Sequence, residues 1–143
     1  MRWDELELAS STWTVPAARS KSKRAHAVPL SALVREQLPQ EVGCGFVFSG
    51  DDGKTHVATG KVKAALDLVL RFKTRWRPHD IRRIVATGME RMGVPIGVTE
   101  AILGHVSGSK SGVVGIYQRH SYDREKREAV ERWADHVRNL VFP

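Results

Sequence analysis

One stretch, Trp76 to Tyr117, constrains this chain more than any other, because it interleaves chemically active side chains with a helical apolar repeat. It opens Trp76-Arg77-Pro78-His79-Asp80-Ile81-Arg82-Arg83, passes through Ala101-Ile102-Leu103-Gly104-His105, and reaches Gly115-Ile116-Tyr117-Gln118-Arg119. Ile81, Ile84, Val85, Gly88 and Met92 recur at spacings of three and four, which predicts a helix from about His79 to Met92. Pro78 suits its start and Gly93 its end. His79 and Arg82 sit three apart at that start, so they share a face, with Arg82 expected to flank the apolar stripe. A guanidinium at such a border can offer a planar fork to a phosphate. The helix N-terminus adds partial positive charge beside His79. A His-x-x-Arg pair alone is more often a capping histidine and a surface arginine.

His105 follows Leu103-Gly104 into a Gly/Ser loop, where an imidazole could donate to an anionic oxygen or move a proton. No paired spacing such as His-Glu-x-x-His accompanies it, so no metal site is expected. Tyr117 lies in a short segment, 113–119, expected to be helical. A phenol with a pKa of about 10 attacks poorly unless cations favour the phenolate. Arg82, His105 and a basic tract near the N-terminus are the available cations. Without them Tyr117 reads as a core-edge aromatic, and Tyr122 is the competing tyrosine, better suited to anchoring the last helix.

Upstream, Arg2 to Leu8 reads as a short turn or strand. Thr12 to Val15 and His26 to Pro29 read as strands, rich in β-branched and aromatic residues. Between them runs Arg19-Ser20-Lys21-Ser22-Lys23-Arg24, so the pair forms a hairpin whose tip carries four cations. As a bland alternative, that tip is a solvated loop protecting an edge. Ser31 is a candidate N-cap for a helix to about Leu38. Gly43 to Phe48 looks like a short buried extended piece, and Ser49 to Gly60 like a loop. Val62, Ala65, Leu66, Val69 and Phe72 make the next helix amphipathic. A short helix is expected at about Val98 to Leu103. The last helix, about Tyr122 to Val141, would bury Val130, Trp133, Ala134, Val137 and Val141, with a solvated charged face at 123–128. The expected fold class is α+β, mainly α, with a small N-terminal antiparallel sheet.

At 143 residues the chain fits one domain, 1–143, with a sizeable core. Its net charge of +7 favours a polyanionic partner, nucleic acid first and an anionic membrane surface second. One cysteine, Cys44, excludes an internal disulfide framework and suits a reducing cytosol. No apolar run is long enough to span a bilayer. A cytoplasmic location follows as the expectation.

In the order Lys…His-x-x-Arg…Leu-Gly-His…Tyr the sequence resembles the catalytic domain of the tyrosine recombinases, the phage integrase family. The likeness extends to runs: M-R-W-D-E-L-E-L (1–8), T-W-T-V-P-A-A-R-S-K (12–21), H-A-V-P-L-S (26–31), R-P-H-D-I-R-R (77–83), L-G-H (103–105), and the Tyr117 segment with A-V-E-R-W-A (129–134). It is strongest toward integrases of prophages and genomic islands. The resemblance implies a DNA-cleaving and rejoining enzyme in which Tyr117 attacks a phosphodiester, forming a 3′-phosphotyrosine. Arg82, His79 and His105 would hold the phosphate, and Lys21 would protonate the leaving 5′ oxygen, with Lys23 a close rival. Arg19, Lys23, Arg24, Arg83 and Arg119 would contact DNA. No cofactor and no metal is implied. The implied partners are double-stranded DNA at attachment sites, further copies of the protein on that DNA, and accessory directionality factors.

One departure matters. The family's first catalytic arginine lies in a Gly-x-Arg-x-x-Glu box upstream of the Trp-Asp-Glu motif, and these residues begin after it, without a core-binding domain. Loss of such a donor costs on the order of 3–4 kcal/mol. The expectation is a truncated catalytic domain, weakly active or inactive alone. The alternative is a non-catalytic DNA-binding or assembly fragment of a decayed integrase. Related chemistry of a topoisomerase type ranks below both.

Overall fold

The computed structural model describes residues 1–40, 45–50, 54–104 and 121–142. Three short strands, β1 (Leu6–Glu7), β2 (Thr12–Val15) and β3 (His26–Pro29), form an antiparallel sheet in the order β1-β2-β3. In β2 and β3 Thr12 faces Pro29 and Val15 faces His26, so residues 16–25 are the hairpin connection. Trp3–Glu5 form a 3-10 turn before β1. Five α-helices follow among the described residues: α1 (Ala32–Glu36), α2 (Thr59–Leu70), α3 (Pro78–Arg91), α4 (Ile96–Leu103) and α5 (Asp123–Val141). The fold is mainly helical α+β, as the sequence patterns imply.

Local chemistry sets the helix limits. Ser31 Oγ accepts the Val34 N–H at 3.3 Å and caps α1. Pro78 occupies the first turn of α3, and the Asp80 carboxylate accepts the Arg77 backbone N–H at 2.8 Å. Gly93, at φ +75°, turns the chain out of α3. Gly104, at φ +64°, does the same for α4.

The core is one cluster of Met89, Val94, Val98, Ile102 and Ala129, edged by Val85, Met92, Tyr122, Val130 and Trp133. It joins α3, α4 and α5. Met89 is only 1% exposed, so truncating it to alanine would cost about 2–5 kcal/mol. The long helix α5 straps the sheet to this cluster. Its Lys126 ammonium donates to the Ala27 carbonyl of β3 at 3.2 Å and pairs with Asp123 at 2.9 Å. Its Glu131 carboxylate accepts the Ala32 N–H at 3.2 Å, capping α1 from outside, and its Arg138 pairs with Glu36 at 2.7 Å. Tyr122 packs against the core at the start of α5, which is the anchoring role expected of it.

Four expectations need correction. Ile81 and Ile84 are 53% and 61% exposed, and the inward row of α3 is Arg82, Val85, Met89 and Met92. Lys126, expected on a solvated face, is buried, because its ammonium finds a carbonyl and a carboxylate. Val141 is 60% exposed, since α5 outruns the core. The apolar stripe of α2 is also exposed: Val62, Leu66, Val69 and Phe72 face solvent, because α2 makes no extensive contact with another described element. Within the expected extended piece at 43–48, Phe46 bridges to Arg2 and Val47 is buried, while Gly43 and Cys44 lie outside the described residues.

Candidate phosphate-binding site

The hairpin connection, the start of α3 and the end of α4 enclose an open cleft of about 940 Å³. Lys21 and Arg24 reach it from the connection, His79 and Arg82 from α3, and His26 from the start of β3. Its floor is Val15, Ala101, Leu103 and Gly104. Among the described residues no carboxylate lines it, so the charged side chains that an anion meets there are cationic.

Each group has a structural reason for its place. His79 is exposed in the first turn of α3, where the free N–H groups of the helix favour an anion. Arg82 is half-buried one turn on, and its Nη2 donates to the Leu103 carbonyl. That bond ties the guanidinium to the last turn of α4. Lys21 sits at the bend of the connection, which is folded on itself by turns such as Lys23 N–H to the Ser20 carbonyl at 3.1 Å. Lys23 itself adopts φ +55° and is not among the residues that line the cleft.

The sheet end of the hairpin is fixed by Glu5. Its carboxylate accepts from the Arg2 N–H at 3.0 Å, from Trp13 Nε1 at 3.1 Å, and from Arg19 at 2.6 Å. Arg19 is therefore engaged outside the cleft. Arg83 is exposed beside Asp80, at 3.7 Å, and is not among the residues that line the cleft. His105, Tyr117 and Arg119 lie outside the described residues.

His26 is the residue that the sequence patterns did not single out. Its Nε2–H donates to the Ile102 carbonyl at 3.1 Å. Burial holds its imidazole below the ordinary histidine value, opposed by the Ile102 bond and aided by the charges of Lys126 and Arg82. A single histidine opening a strand has no periodicity to mark it. Only its place in the H-A-V-P-L-S run, next to the basic tract, hinted at it.

Among the described residues there is no cluster of three or more His, Cys, Asp or Glu placed to hold a metal, and no helix long and apolar enough to cross a membrane. An amine, a guanidinium and imidazoles around an open cleft on a basic, mainly helical domain have the chemistry that proteins of the nucleic-acid-handling class use to receive a phosphate.

Comparison with known families makes the class specific: residues 1–124 match the phage integrase family, and the chain belongs to it. The chain is 34% identical to the prophage integrase IntA of Escherichia coli (strain K12) over 96% of its own length and 34% of that protein. It is 27% identical to the prophage integrase IntZ of the same organism over 98% of its length and 35% of that protein. To a tyrosine recombinase of Pseudothermotoga lettingae it is 29% identical over 88% of its length and 45% of that protein. The chain thus spans between a third and a half of these relatives. No solved structure matches it.

Proposed function

We propose that this chain is the catalytic portion of a site-specific DNA recombinase that cuts and rejoins strands through a 3′-phosphotyrosine. The single observation that supports this reading most is the convergence of Lys21 from the hairpin with His79 and Arg82 from α3 on one cleft that no carboxylate among the described residues lines. In the reaction, the Tyr117 phenol gives up its proton and its oxygen bonds to phosphorus. The bond from phosphorus to the 5′ oxygen breaks, and the Lys21 ammonium supplies that oxygen with a proton. Arg82, with His79 and His105, neutralises the charge spread over the non-bridging oxygens, which is where a transferring phosphoryl group needs it. The phosphotyrosine keeps the bond energy of the backbone, so rejoining requires no nucleotide.

Under this reading the partners are attachment-site duplex DNA and further copies of the protein on it. These 143 residues contain no Gly-x-Arg-x-x-Glu sequence, so one arginine of the family's pair is missing from them. Cleavage by these residues alone is therefore expected to be slower by two or three powers of ten, or about 3–4 kcal/mol. A duplex carrying the attachment core, with a nick that lets the freed strand diffuse away, tests the proposal. A covalent protein–DNA adduct should form and should vanish in Tyr117→Phe. Salt-sensitive binding that Tyr117→Phe leaves unchanged, with no adduct even in a form that includes the arginine box, would mean a non-catalytic binding fragment.

A further inference from the structure

A helix leaves its last carbonyls without partners inside the helix, and something must satisfy them. At the end of α4 three successive carbonyls are satisfied in three different ways. Ala101 O accepts the Gly104 N–H at 3.4 Å, Ile102 O accepts His26 Nε2–H at 3.1 Å, and Leu103 O accepts Arg82 Nη2. From this geometry we infer that His26 is a positioning residue: by holding the Ile102 carbonyl it fixes the neighbouring Leu103 carbonyl, which in turn aims the Arg82 guanidinium into the cleft.

Gly104 supplies an independent reason. It carries φ +64°, a conformation that disfavours other residues, and a Cβ there would lie 3.1 Å from His26 Nε2 and 3.2 Å from its Cδ2. The imidazole therefore rests on the bare face of this glycine. The contact crosses from β3 to α4, 76 residues along the chain, so it ties the hairpin that carries Lys21 to the helix end that holds Arg82. The ring's surroundings suit this role. Burial first, then the charges of Lys126 of α5 and Arg82 of α3, favour a neutral ring against the Ile102 bond, and His79 of α3 with Lys21 and Arg24 of the hairpin line the same cleft. A neutral ring with its proton on Nε2 makes the observed bond without repelling Arg82.

The effect on strand cleavage rests on the reading proposed above, whereas the effect on Arg82 does not, so two readouts on the full chain separate them. His26→Gln keeps an N–H donor within reach of the Ile102 carbonyl, and His26→Phe keeps a ring without the donor. The first readout is solvent exchange of the Arg82 guanidinium protons by nitrogen-15 NMR. In His26→Phe exchange should speed up by about tenfold, the equivalent of one lost hydrogen bond, and His26→Gln should restore it. The second is the rate of adduct formation on the nicked duplex at saturating DNA. It should fall by on the order of tenfold to a hundredfold in His26→Phe and recover in His26→Gln. Unchanged Arg82 exchange in His26→Phe overturns the inference, whatever happens to cleavage. Faster exchange with no adduct from any variant, wild type included, and none in a form that includes the arginine box, sustains it and counts against the recombinase reading instead. Should His26→Phe not fold, His26→Asn, too short to reach the carbonyl, makes the same comparison.

Discussion

At the scale of single residues, Glu5 shows how a carboxylate can serve a basic site without touching it. Its side chain is almost wholly buried and receives three donors, one of them the Arg19 guanidinium. Hydrogen bonds to a charged group are worth about 1.5–3 kcal/mol each, so Glu5→Ala should destabilise the fold by at least about 2 kcal/mol in denaturant titration. His26 gives a second prediction. Its folded pKa lies below the ordinary value of about 6.5, so as pH falls the unfolded chain takes up the proton first. The stability tied to neutral His26 is complete above that value and is lost as pH falls from it through the folded pKa. His26→Gln should flatten this part of the stability profile, measured as midpoint against pH. The contrast between the two kinds of residue explains what was legible. His79 and Arg82 are marked by their spacing on one helix, and Lys21 by its basic tract. His26 acts only through a carbonyl that the fold carries to it, and no local pattern encodes that.

At the scale of elements, the packing of α3 on α5 turns on Gly88 and Trp133. A Cβ on Gly88 would come 2.1 Å from Trp133 Cζ3 and 2.6 Å from Cη2. Alanine is favoured over glycine in a helix interior by about 1 kcal/mol. The steric clash opposes this, and overpacking typically costs about 1–3 kcal/mol. The clash should win, leaving Gly88→Ala net destabilised by up to about 2 kcal/mol. In the Trp133→Leu background the same change should become neutral or stabilising, a coupling visible in a double-mutant cycle of thermal midpoints. Helix existence was readable from apolar spacing, but the facing of α3 was not. Ile81 and Ile84 complete a regular three-four stripe, yet the helix turns Arg82, Val85 and Met89 inward. The inward row includes Arg82 because its guanidinium has the Leu103 carbonyl to bond, a partner supplied by a different helix. The spacing on α2 marks an amphipathic helix, and no described element packs extensively over its apolar stripe.

At the scale of the whole molecule, the net charge of +7 is distributed so that the proposed DNA binding would be separable into parts. Lys21 and Arg24 line the cleft, whereas Arg19 is held by Glu5 and Arg83 stands beside Asp80. A cation that neutralises a DNA phosphate releases a counterion, and each such contact adds about 0.9 to the slope of log affinity against log salt. Changing both Lys21 and Arg24 to alanine should therefore lower that slope by nearly two, measured by fluorescence anisotropy on duplex DNA between about 50 and 200 mM salt. Arg19→Ala should leave the slope almost unaltered and lower the thermal midpoint instead, because its charge is engaged with a buried carboxylate. The sequence alone treats these cations as one cluster of four at a hairpin tip. The fold divides them, since a guanidinium already bonded to Glu5 must break that pair before it can reach a phosphate. If Arg19→Ala reduced the slope as much as Lys21→Ala did, the Glu5 pair would have to open on DNA. The cleft would then extend along the hairpin to the 3-10 turn, and the binding surface would be larger than the one drawn from Lys21, His79 and Arg82.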